Sequence, residues 1–502
     1  MHVVLWDTRK LDASKDFAGG FGVGQYHGHG GPRGWFIRRM YKRDYRPAAL
    51  NFAYLGAIFR KLGHTVEFAL ERVPRGADVY IFNPSLITLH IERQAMLQAL
   101  AQQPRPKVLV TGAVAYALPD AFADLDVTLV RGEAEQLYWK LDDVLASDSK
   151  SVDVGSVKDL DALPWPDWSL FNYRRFRIGY DFTEFPTALV QQSRGCTFTC
   201  NYCPYIMVEN KTRFRDPERV TDEMRHGIER YGFRSFKFRD PLFGLDRRRV
   251  LRLAELIGQL PRKIQFSIEG RIDLLRPDTL AALREVGLTS ITVGIETPDE
   301  NTLRNYKRAP INDDRQREFV ARCREMGIRT VAGFMIGFPE DTEQSIRGVL
   351  KYAKLVNPTY ANFNIVTPYP GTEFFAEVRD QIADFDFSRY TVYTPVMKYQ
   401  HLTREDVLRL HAKCFTSYYF RADYLRDNAH LLWPSLARFR KRRAATSVAS
   451  DTAVASDASH ATPQRPHGLE VLQSRSDLRK DGPHRRHQRS ADSTEPRSQG
   501  SA

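Results

Sequence analysis

Short apolar runs alternate with helical patterns twice along this chain, and that alternation limits the possible folds more than any other feature. In the first half each apolar run is only a few residues long, as expected for a parallel strand covered on both faces. The predicted strands are 2–5, 66–70, 78–82, 107–111 and 127–130, and the predicted helices are 48–62, 91–102 and 135–146. We therefore predict an open, flavodoxin-like or Rossmann-like α/β sheet, which binds ligands beyond the carboxyl ends of its strands.

A second alternation occupies the middle of the chain. Its predicted strands are 188–192, 235–238, 264–268, 290–294, 331–336 and 362–366, and its predicted helices are 217–231, 247–260, 278–286, 313–326 and 341–356. Six strand–helix units fall short of the eight that close a TIM barrel, so we predict a partial (β/α)6 barrel. Such folds place their chemistry at the rim formed by the carboxyl ends of the strands.

The chain of 502 residues divides by composition into five segments. We predict an α/β domain over 1–148, a barrel over 186–378 and a small helical element over 379–440. Residues 149–185 are predicted to be a linker without regular structure, because they combine a polar stretch with several prolines. Residues 441–502 contain almost no large apolar side chains and are predicted to be disordered.

Charge and cysteine content restrict the compartment and the partners. The net charge is +13, concentrated in the tail and in a basic stretch over 33–47, which predicts either a solvated basic face or contact with an anionic membrane or nucleic acid. The chain begins without the features of a signal peptide and has no run of about 20 apolar residues, so a cytoplasmic protein is expected. The odd count of 5 cysteines argues against a disulfide framework.

Three of these cysteines, Cys196, Cys200 and Cys203, form a C-x3-C-x2-C motif directly after the first predicted barrel strand. A structural zinc site would need a fourth ligand, for which only the distant Cys323 and His226 are candidates. Three thiolates can instead hold a four-iron cluster and leave one iron open to a small molecule. Cys323 and Cys414 lie in helical patterns and are predicted to be core residues.

The stretch CTFTCNYC resembles the signature of the radical S-adenosylmethionine (SAM) superfamily. The resemblance implies a [4Fe-4S] cluster on the three cysteines, with SAM on its open iron. It also implies cleavage of SAM to methionine and a 5′-deoxyadenosyl radical, with Tyr202 against the adenine.

Motifs at later strand ends extend the resemblance. They are FKFRDPLFG with Asp240, IEGRID with Glu269 and Arg271, VGIET with Glu296, and GFMIGFPEDT with Gly337 and Pro339. The resemblance implies that these residues face SAM. Arg239 stands where the family pattern has an acidic residue before Asp240. Taken singly, each residue could also be an ordinary ion-pair partner, a turn glycine or a helix cap.

The N-terminal half resembles the cobalamin-binding domains that are fused to radical SAM domains. The stretch from 46 to 70 matches their opening, and LVTGAVAYALPD and LVRGEAEQL match ligand-facing loops that contain Thr111, Gly112, Gly132 and Glu133. The cobalt-ligating motif D-x-H-x-x-G is absent, so a degenerate, empty domain stays an alternative. A glycine-rich insert over 18–34, with His27 and His29, is either a ligand-facing segment or a mobile loop.

These resemblances imply a cobalamin-dependent radical SAM methyltransferase that acts on a small-molecule or lipid-like substrate. An electron donor such as flavodoxin or ferredoxin is implied, and no nucleic acid partner is expected. One alternative is a cyclase, oxidase or rearrangement enzyme with the same cofactors, and a second is a non-catalytic cobalamin or redox sensor. A tRNA methylthiotransferase would carry further cysteines before Cys196, and this chain has none there.

Overall fold

The computed structural model describes residues 1–8, 13–15, 18–24, 31–42, 45–46, 49–70, 72–206 and 211–432. All of these residues belong to one compact unit, Met1–Leu436. The predicted disordered tail and the two histidines of the insert, His27 and His29, lie outside the described residues.

The first 155 residues, here called the N-terminal lobe, are built on one parallel sheet. Its strands are β1 (His2–Asp7), β2 (Thr65–Leu70), β3 (Val79–Phe82), β4 (Lys107–Val110), β5 (Thr128–Gly132) and β6 (Ser151–Gly155). They pair in the order β2-β1-β3-β4-β5-β6. The order of the first five is that of a flavodoxin-like sheet, which confirms the predicted fold class.

Helix α1 (Gly31–Lys42) packs against the C-terminal helical element. The helices that cover the sheet are α2 (Leu50–Lys61), α3 (Leu89–Leu100), the short α4 (Ala113–Ala117) and α5 (Leu137–Ala146). The central strand β3 is buried along its whole length, which explains why its sequence is a continuous apolar run.

Strand β6 corrects the prediction that residues 149–185 lack regular structure. It adds to the edge of the sheet beside β5, and only Val154 of its five residues is fully buried. An edge strand with one exposed face can carry polar residues at alternate positions, so its sequence resembles a linker.

The second lobe, here called the barrel lobe, contains a six-stranded parallel sheet in chain order. Its strands are β7 (Thr187–Val190), β8 (Ser235–Phe238), β9 (Gln265–Gly270), β10 (Leu288–Glu296), β11 (Arg329–Ile336) and β12 (Tyr360–Ile365). Within the described residues the outermost strands β7 and β12 do not pair with each other, so the barrel is open as predicted. Its helices are α6 (Pro217–Tyr231), α7 (Arg247–Gly258), α8 (Pro277–Glu285), α9 (Glu300–Asn305), α10 (Asp313–Glu325), α11 (Glu343–Val356) and α12 (Glu373–Glu377).

Local signals explain where these helices begin and end. Pro217 opens α6 in the first turn, and Gly232 ends it in the left-handed conformation with φ of +71°. A capping box between Thr342 and Ser345 starts α11. Between Pro217 and Gly232, helix α6 buries Val220, Met224 and Ile228 on one face against the sheet.

The C-terminal element packs against the last barrel strand. After an irregular segment with short 3-10 turns, it consists of α13 (Arg404–Tyr419) and α14 (Ala422–Leu432). Cys323 in α10 and Cys414 in α13 are buried, which confirms their prediction as core residues. Among the described helices, none combines the length and the apolarity that crossing a membrane requires.

Candidate functional site

The three cysteines lie in a loop beyond the carboxyl end of β7. Residues 195–205 are here called the cysteine loop. All three thiols are free and partly buried, and burial raises the pKa of Cys196 above its ordinary value. Burial raises the pKa of the Cys203 thiol to about 12. In the described part of the chain, no three His, Cys, Asp or Glu side chains form a group suited to holding a metal ion. The three thiols therefore share one loop, and their role as cluster ligands stays a prediction.

Asp240, which follows β8, fixes the base of this cysteine loop. Its carboxylate is fully buried and accepts hydrogen bonds from the Gln192 amide at 3.0 Å, from the Ser193 hydroxyl at 2.7 Å and from the Ser193 amide. Asp240 was predicted to face SAM. Its carboxylate is hydrogen-bonded to the segment that leads into the cysteine loop, and its place next to SAM stays a prediction.

Arg308, which no sequence motif singled out, lies beside the second cysteine. Its Nη1 is 4.0 Å from Cys200 Sγ, and its Nη2 donates to the Gly294 carbonyl at 2.7 Å. The same Nη2 is 3.2 Å from the carboxylate of Glu296. Glu296 has a φ of +69°, uncommon for a residue with a side chain, where the pairing of β10 with β11 shifts register. This bulge turns Glu296 toward Arg308 and places a buried ion pair at the cysteine loop.

Arg271 joins the same rim from the end of β9. It forms a bidentate pair with Asp273, both distances being 3.0 Å, and lies 4.2 Å above the ring of Phe198 in the cysteine loop. Its Nη1 is buried and has no hydrogen-bond partner in the protein. The hydroxyl of Tyr202 is likewise buried and without a partner. Two polar groups at the cysteine loop are thus left open to a ligand, since buried polar groups are normally paired.

Gly337 and Pro339 lie on the turn after β11, on either side of Phe338. The Gly337 amide donates to the Asp341 carboxylate at 2.7 Å, and the Pro339 carbonyl accepts from the Gln400 amide at 2.9 Å. The ring of Phe338, between them, is 6.5 Å from that of Tyr202. The structure therefore brings this predicted motif to the cysteine loop.

Glu269, which was predicted to face SAM, pairs with basic side chains at the end of β8. Its Oε1 is 2.8 Å from Arg239 and 3.2 Å from Lys237, a buried lysine whose amino group is also 2.9 Å from Asp181. Burial acts to lower the pKa of Lys237, but Asp181 and Glu269 raise it above its ordinary value. The carboxylate of Glu269 is thus held by two cations of the chain inside the barrel.

A cavity lies where the carboxyl ends of the two sheets meet. It has a volume of about 270 Å³. Both lobes line it, the N-terminal lobe through Gly19, Gly20, Asn83, Thr111, Gly112, Gly132 and Glu133, and the barrel lobe through Gln191, Arg194, Gly195, Tyr205, Arg213 and Arg239. All four predicted N-terminal site residues therefore meet at one cavity.

Two glycines keep the N-terminal wall of this cavity clear. Gly112 has a φ of +89°, and a Cβ there would lie 2.0 Å from the Asn83 side-chain oxygen. Gly132 has a φ of +106°, and a Cβ there would lie 2.4 Å from the Gly155 carbonyl oxygen. Thr111 is turned inward and donates to the Phe82 carbonyl at 3.2 Å. Side chains are thus excluded where the strand ends face the cavity.

Glu133 ties the lobes together beside the cavity. Its two carboxylate oxygens accept hydrogen bonds from Arg213 at 2.7 and 2.9 Å, and one of them also accepts from the Val157 amide. Arg194, just before the cysteine loop, pairs with Glu135 at 2.7 Å. Burial acts to raise the pKa of Glu133, but Arg213 and Arg194 hold it below its ordinary value. Sequence inspection missed both arginines, although Arg194 stands two residues before Cys196.

Comparisons with known proteins agree with this geometry. The family described as the radical SAM superfamily matches residues 190–353. A methyltransferase of Pyrococcus horikoshii, itself uncharacterised, is 27% identical over 59% of this chain and 68% of its own length. The anaerobic magnesium-protoporphyrin IX monomethyl ester cyclase of Cereibacter sphaeroides is 27% identical over 68% of this chain and 55% of its own length.

A solved structure extends the likeness across both lobes. The radical SAM methyltransferase TsrM of Kitasatospora setae, determined with cobalamin and a [4Fe-4S] cluster bound, aligns with a TM-score of 0.58 and 13% identity over 75% of this chain and 87% of that chain. At this identity the alignment shows a shared fold. The cysteine loop and the match over 190–353 identify a radical SAM domain in this part of the chain.

Proposed function

We propose that this protein is a cobalamin-dependent radical SAM methyltransferase acting on a small-molecule or lipid-like substrate. The observation that carries the proposal is the cavity shared by the two lobes. It joins the glycine-lined strand ends of the N-terminal lobe to the carboxyl-end rim of the barrel, where the cysteine loop begins. A reaction in which two cofactors act on one substrate needs a cavity that both cofactor sites share.

The residues at the cysteine loop fit a cluster with SAM. Cys196, Cys200 and Cys203 would hold the cluster, with the guanidinium of Arg308 balancing charge next to Cys200. The open donors of Arg271 and Tyr202 suit a ligand that carries a carboxylate and ring nitrogens, as SAM does.

The residues of the N-terminal wall fit a large, flat ligand. Gly112 and Gly132 would lie against cobalamin, with Asn83 and Thr111 at its edge. When bound, the cluster and SAM supply a 5′-deoxyadenosyl radical and cobalamin supplies the methyl carrier, so that the cofactors provide the difficult chemistry.

The residues of the chain itself hold the cysteine loop and the two lobes in position and enclose the reacting groups. Asp240 keeps the start of the cysteine loop in place, and the Glu133–Arg213 pair keeps the N-terminal lobe closed against the barrel. Buried aromatic rings at the rim, among them Tyr306 and Phe338 with ring centroids 4.5 Å apart, exclude water from the reacting groups.

The relatives favour methyl transfer without excluding another outcome. One curated relative is a methyltransferase and another is a cyclase, so the same cofactors could close a ring here. We propose flavodoxin or ferredoxin as the electron donor. We propose the cytosol as the compartment, since clustered free thiols fit a reducing one.

Anaerobic reconstitution tests the proposal. The protein is loaded with iron, sulfide and hydroxocobalamin, reduced, and mixed with SAM. We expect about four irons per chain, 5′-deoxyadenosine in the product mixture and stoichiometric bound cobalamin by absorbance. Deoxyadenosine without bound cobalamin would refute methyl transfer through cobalt. The absence of both signals from protein with an intact cluster would refute the proposal that this protein is a radical SAM enzyme.

Matched variants separate the two sites. Cys200→Ala should abolish deoxyadenosine formation and leave cobalamin binding intact. Gly112→Ala should weaken cobalamin binding, because the added methyl group would displace the Asn83 side chain that lines the cavity. Gly63→Ala is the control, since Gly63 has a similar φ of +84° but nothing within 4 Å of an added Cβ.

A further inference from the structure

The glycine-rich insert of the N-terminal lobe lies between the two proposed cofactor sites. Its described part over 18–24, here called the glycine loop, contains a 3-10 turn at Ala18–Gly20 and a strand, Val23–Gly24, that pairs with Ala13–Ser14. Gly19 and Gly20 both line the cavity. The sequence left open whether this insert faces a ligand or is simply mobile.

On one side the glycine loop touches the cysteine loop. Gly19 approaches the Pro204 carbonyl so closely that a Cβ on Gly19 would lie 2.2 Å from that oxygen. Pro204 directly follows Cys203. Because the obstacle is backbone rather than a flexible side chain, any residue with a Cβ at position 19 would displace the cysteine loop or the glycine loop.

On the other side the glycine loop touches the N-terminal wall of the cavity. A Cβ on Gly20 would lie 3.6 Å from the Ala113 side chain, next to Gly112. The Leu86 amide donates to the Phe21 carbonyl at 2.9 Å, which joins the glycine loop to the segment after β3. The two glycines therefore bridge the strand ends of the N-terminal lobe and the cysteine loop.

Contacts at both ends fix the glycine loop in this position. Before it, the Lys15 amino group is held between the carboxylates of Asp7 and Glu92, and Glu92 is fully buried. Within it, Phe21 stacks on Tyr369 with ring centroids 5.1 Å apart and an interplanar angle of 19°. At its end, the Gly24 amide donates to the Thr391 carbonyl at 3.1 Å. These contacts favour a fixed wall over a mobile loop.

We propose that Gly19 and Gly20 are positioning residues that set the spacing between the cobalamin wall and the cysteine loop. The inference rests on the proposed function, because it assumes that cobalamin occupies the cavity. Glycine is required at position 19 for close approach to Pro204, so a methyl group there should force the two walls apart and misplace the bound corrin.

Gly19→Ala tests this against a matched control in the same insert. Gly31 has a φ of +67°, close to the +63° of Gly19, but an added Cβ there meets nothing within 4 Å. Alanine therefore imposes similar backbone strain at both positions and a steric conflict only at Gly19. The reconstituted proteins are titrated with hydroxocobalamin by absorbance, with iron and sulfide content and thermal midpoint measured in parallel.

We expect the dissociation constant for hydroxocobalamin to rise at least tenfold in Gly19→Ala and to stay within twofold of wild type in Gly31→Ala. Equal constants in the two variants, with the wild type binding normally, would overturn the positioning role. A wild type that binds no hydroxocobalamin would instead overturn the proposed function. If Gly19→Ala does not fold, Phe21→Leu carries the test. Loss of the stack on Tyr369 should weaken binding about threefold, and unchanged binding would overturn the inference.

Discussion

Replacing Asp240 by alanine separates a residue that positions the cysteine loop from one that touches a ligand. The buried carboxylate accepts three hydrogen bonds, from the Gln192 amide and from the amide and hydroxyl of Ser193. Burial raises the pKa of Asp240 to about 7, so the hydrogen bonds rather than the charge set the size of the effect at neutral pH. Alanine leaves three donors without their acceptor at about 1 kcal/mol each, and we therefore expect Asp240→Ala to destabilise the loop base by about 3 kcal/mol.

Hydrogen exchange followed by mass spectrometry measures this locally. A loss of about 3 kcal/mol corresponds to roughly 100-fold faster exchange in the peptide that contains Gln192 and Ser193. Ser193→Ala removes one of the three bonds and should show a smaller effect of about 1.5 kcal/mol. Asp222→Ala, at an exposed position of α6, is the control and should change nothing measurable. Normal exchange in Asp240→Ala together with weakened SAM binding would refute the positioning role.

Three further predictions concern charge and thiols. Arg308→Met should lower the reduction potential of the reconstituted cluster by on the order of tens of millivolts, because a positive charge next to Cys200 is lost. An EPR-monitored titration measures this potential. The control Arg304→Met, at an exposed ion pair, should leave the potential unchanged. Ion pairing holds the pKa of Glu133 below its ordinary value. The stability that this ion pairing contributes is therefore fully present at pH values above the ordinary pKa, and it is lost as the pH falls through the lowered pKa. The thermal midpoint of the apoprotein should therefore fall less steeply between pH 6 and 3 in Glu133→Gln, and an unchanged slope would contradict the assignment. Cys323→Ser should leave the iron content intact while Cys200→Ser removes it, and iron loss in both would argue against a three-cysteine site.

The fold was predictable because its signals are local. Strand β8 and helix α6 begin and end at the residues that the apolar runs and the punctuating proline and glycine indicate. Strand β6 was not predictable, since an edge strand of the sequence SVDVG lacks the continuous apolar character of the buried strands. Its membership of the sheet depends on pairing with β5, which no local pattern records.

The candidate site was predictable in composition but less so in its contacts. Motif resemblance located the cysteines and the four residues that meet at the cavity. It could not foresee that Asp240 and Glu269 have partners within the chain, because those partners come from neighbouring strands of the barrel and the residues that follow them. Arg308 escaped notice for the same reason, since its nearness to Cys200 arises only when the turn after α9 folds against the loop.

The pairing of Glu133 with Arg213 also has a consequence for how the chain is made. The two residues are 80 positions apart. At a synthesis rate of about 5–20 residues per second, the carboxylate leaves the ribosome roughly 4 to 16 seconds before its guanidinium. During that interval the nascent N-terminal lobe would present Glu133 and Glu135 without their arginine partners. The N-terminal lobe can therefore form these ion pairs only after the first part of the barrel lobe has been synthesised. A fragment ending near residue 155 would lack the ion pairs that hold the two lobes together in the full chain.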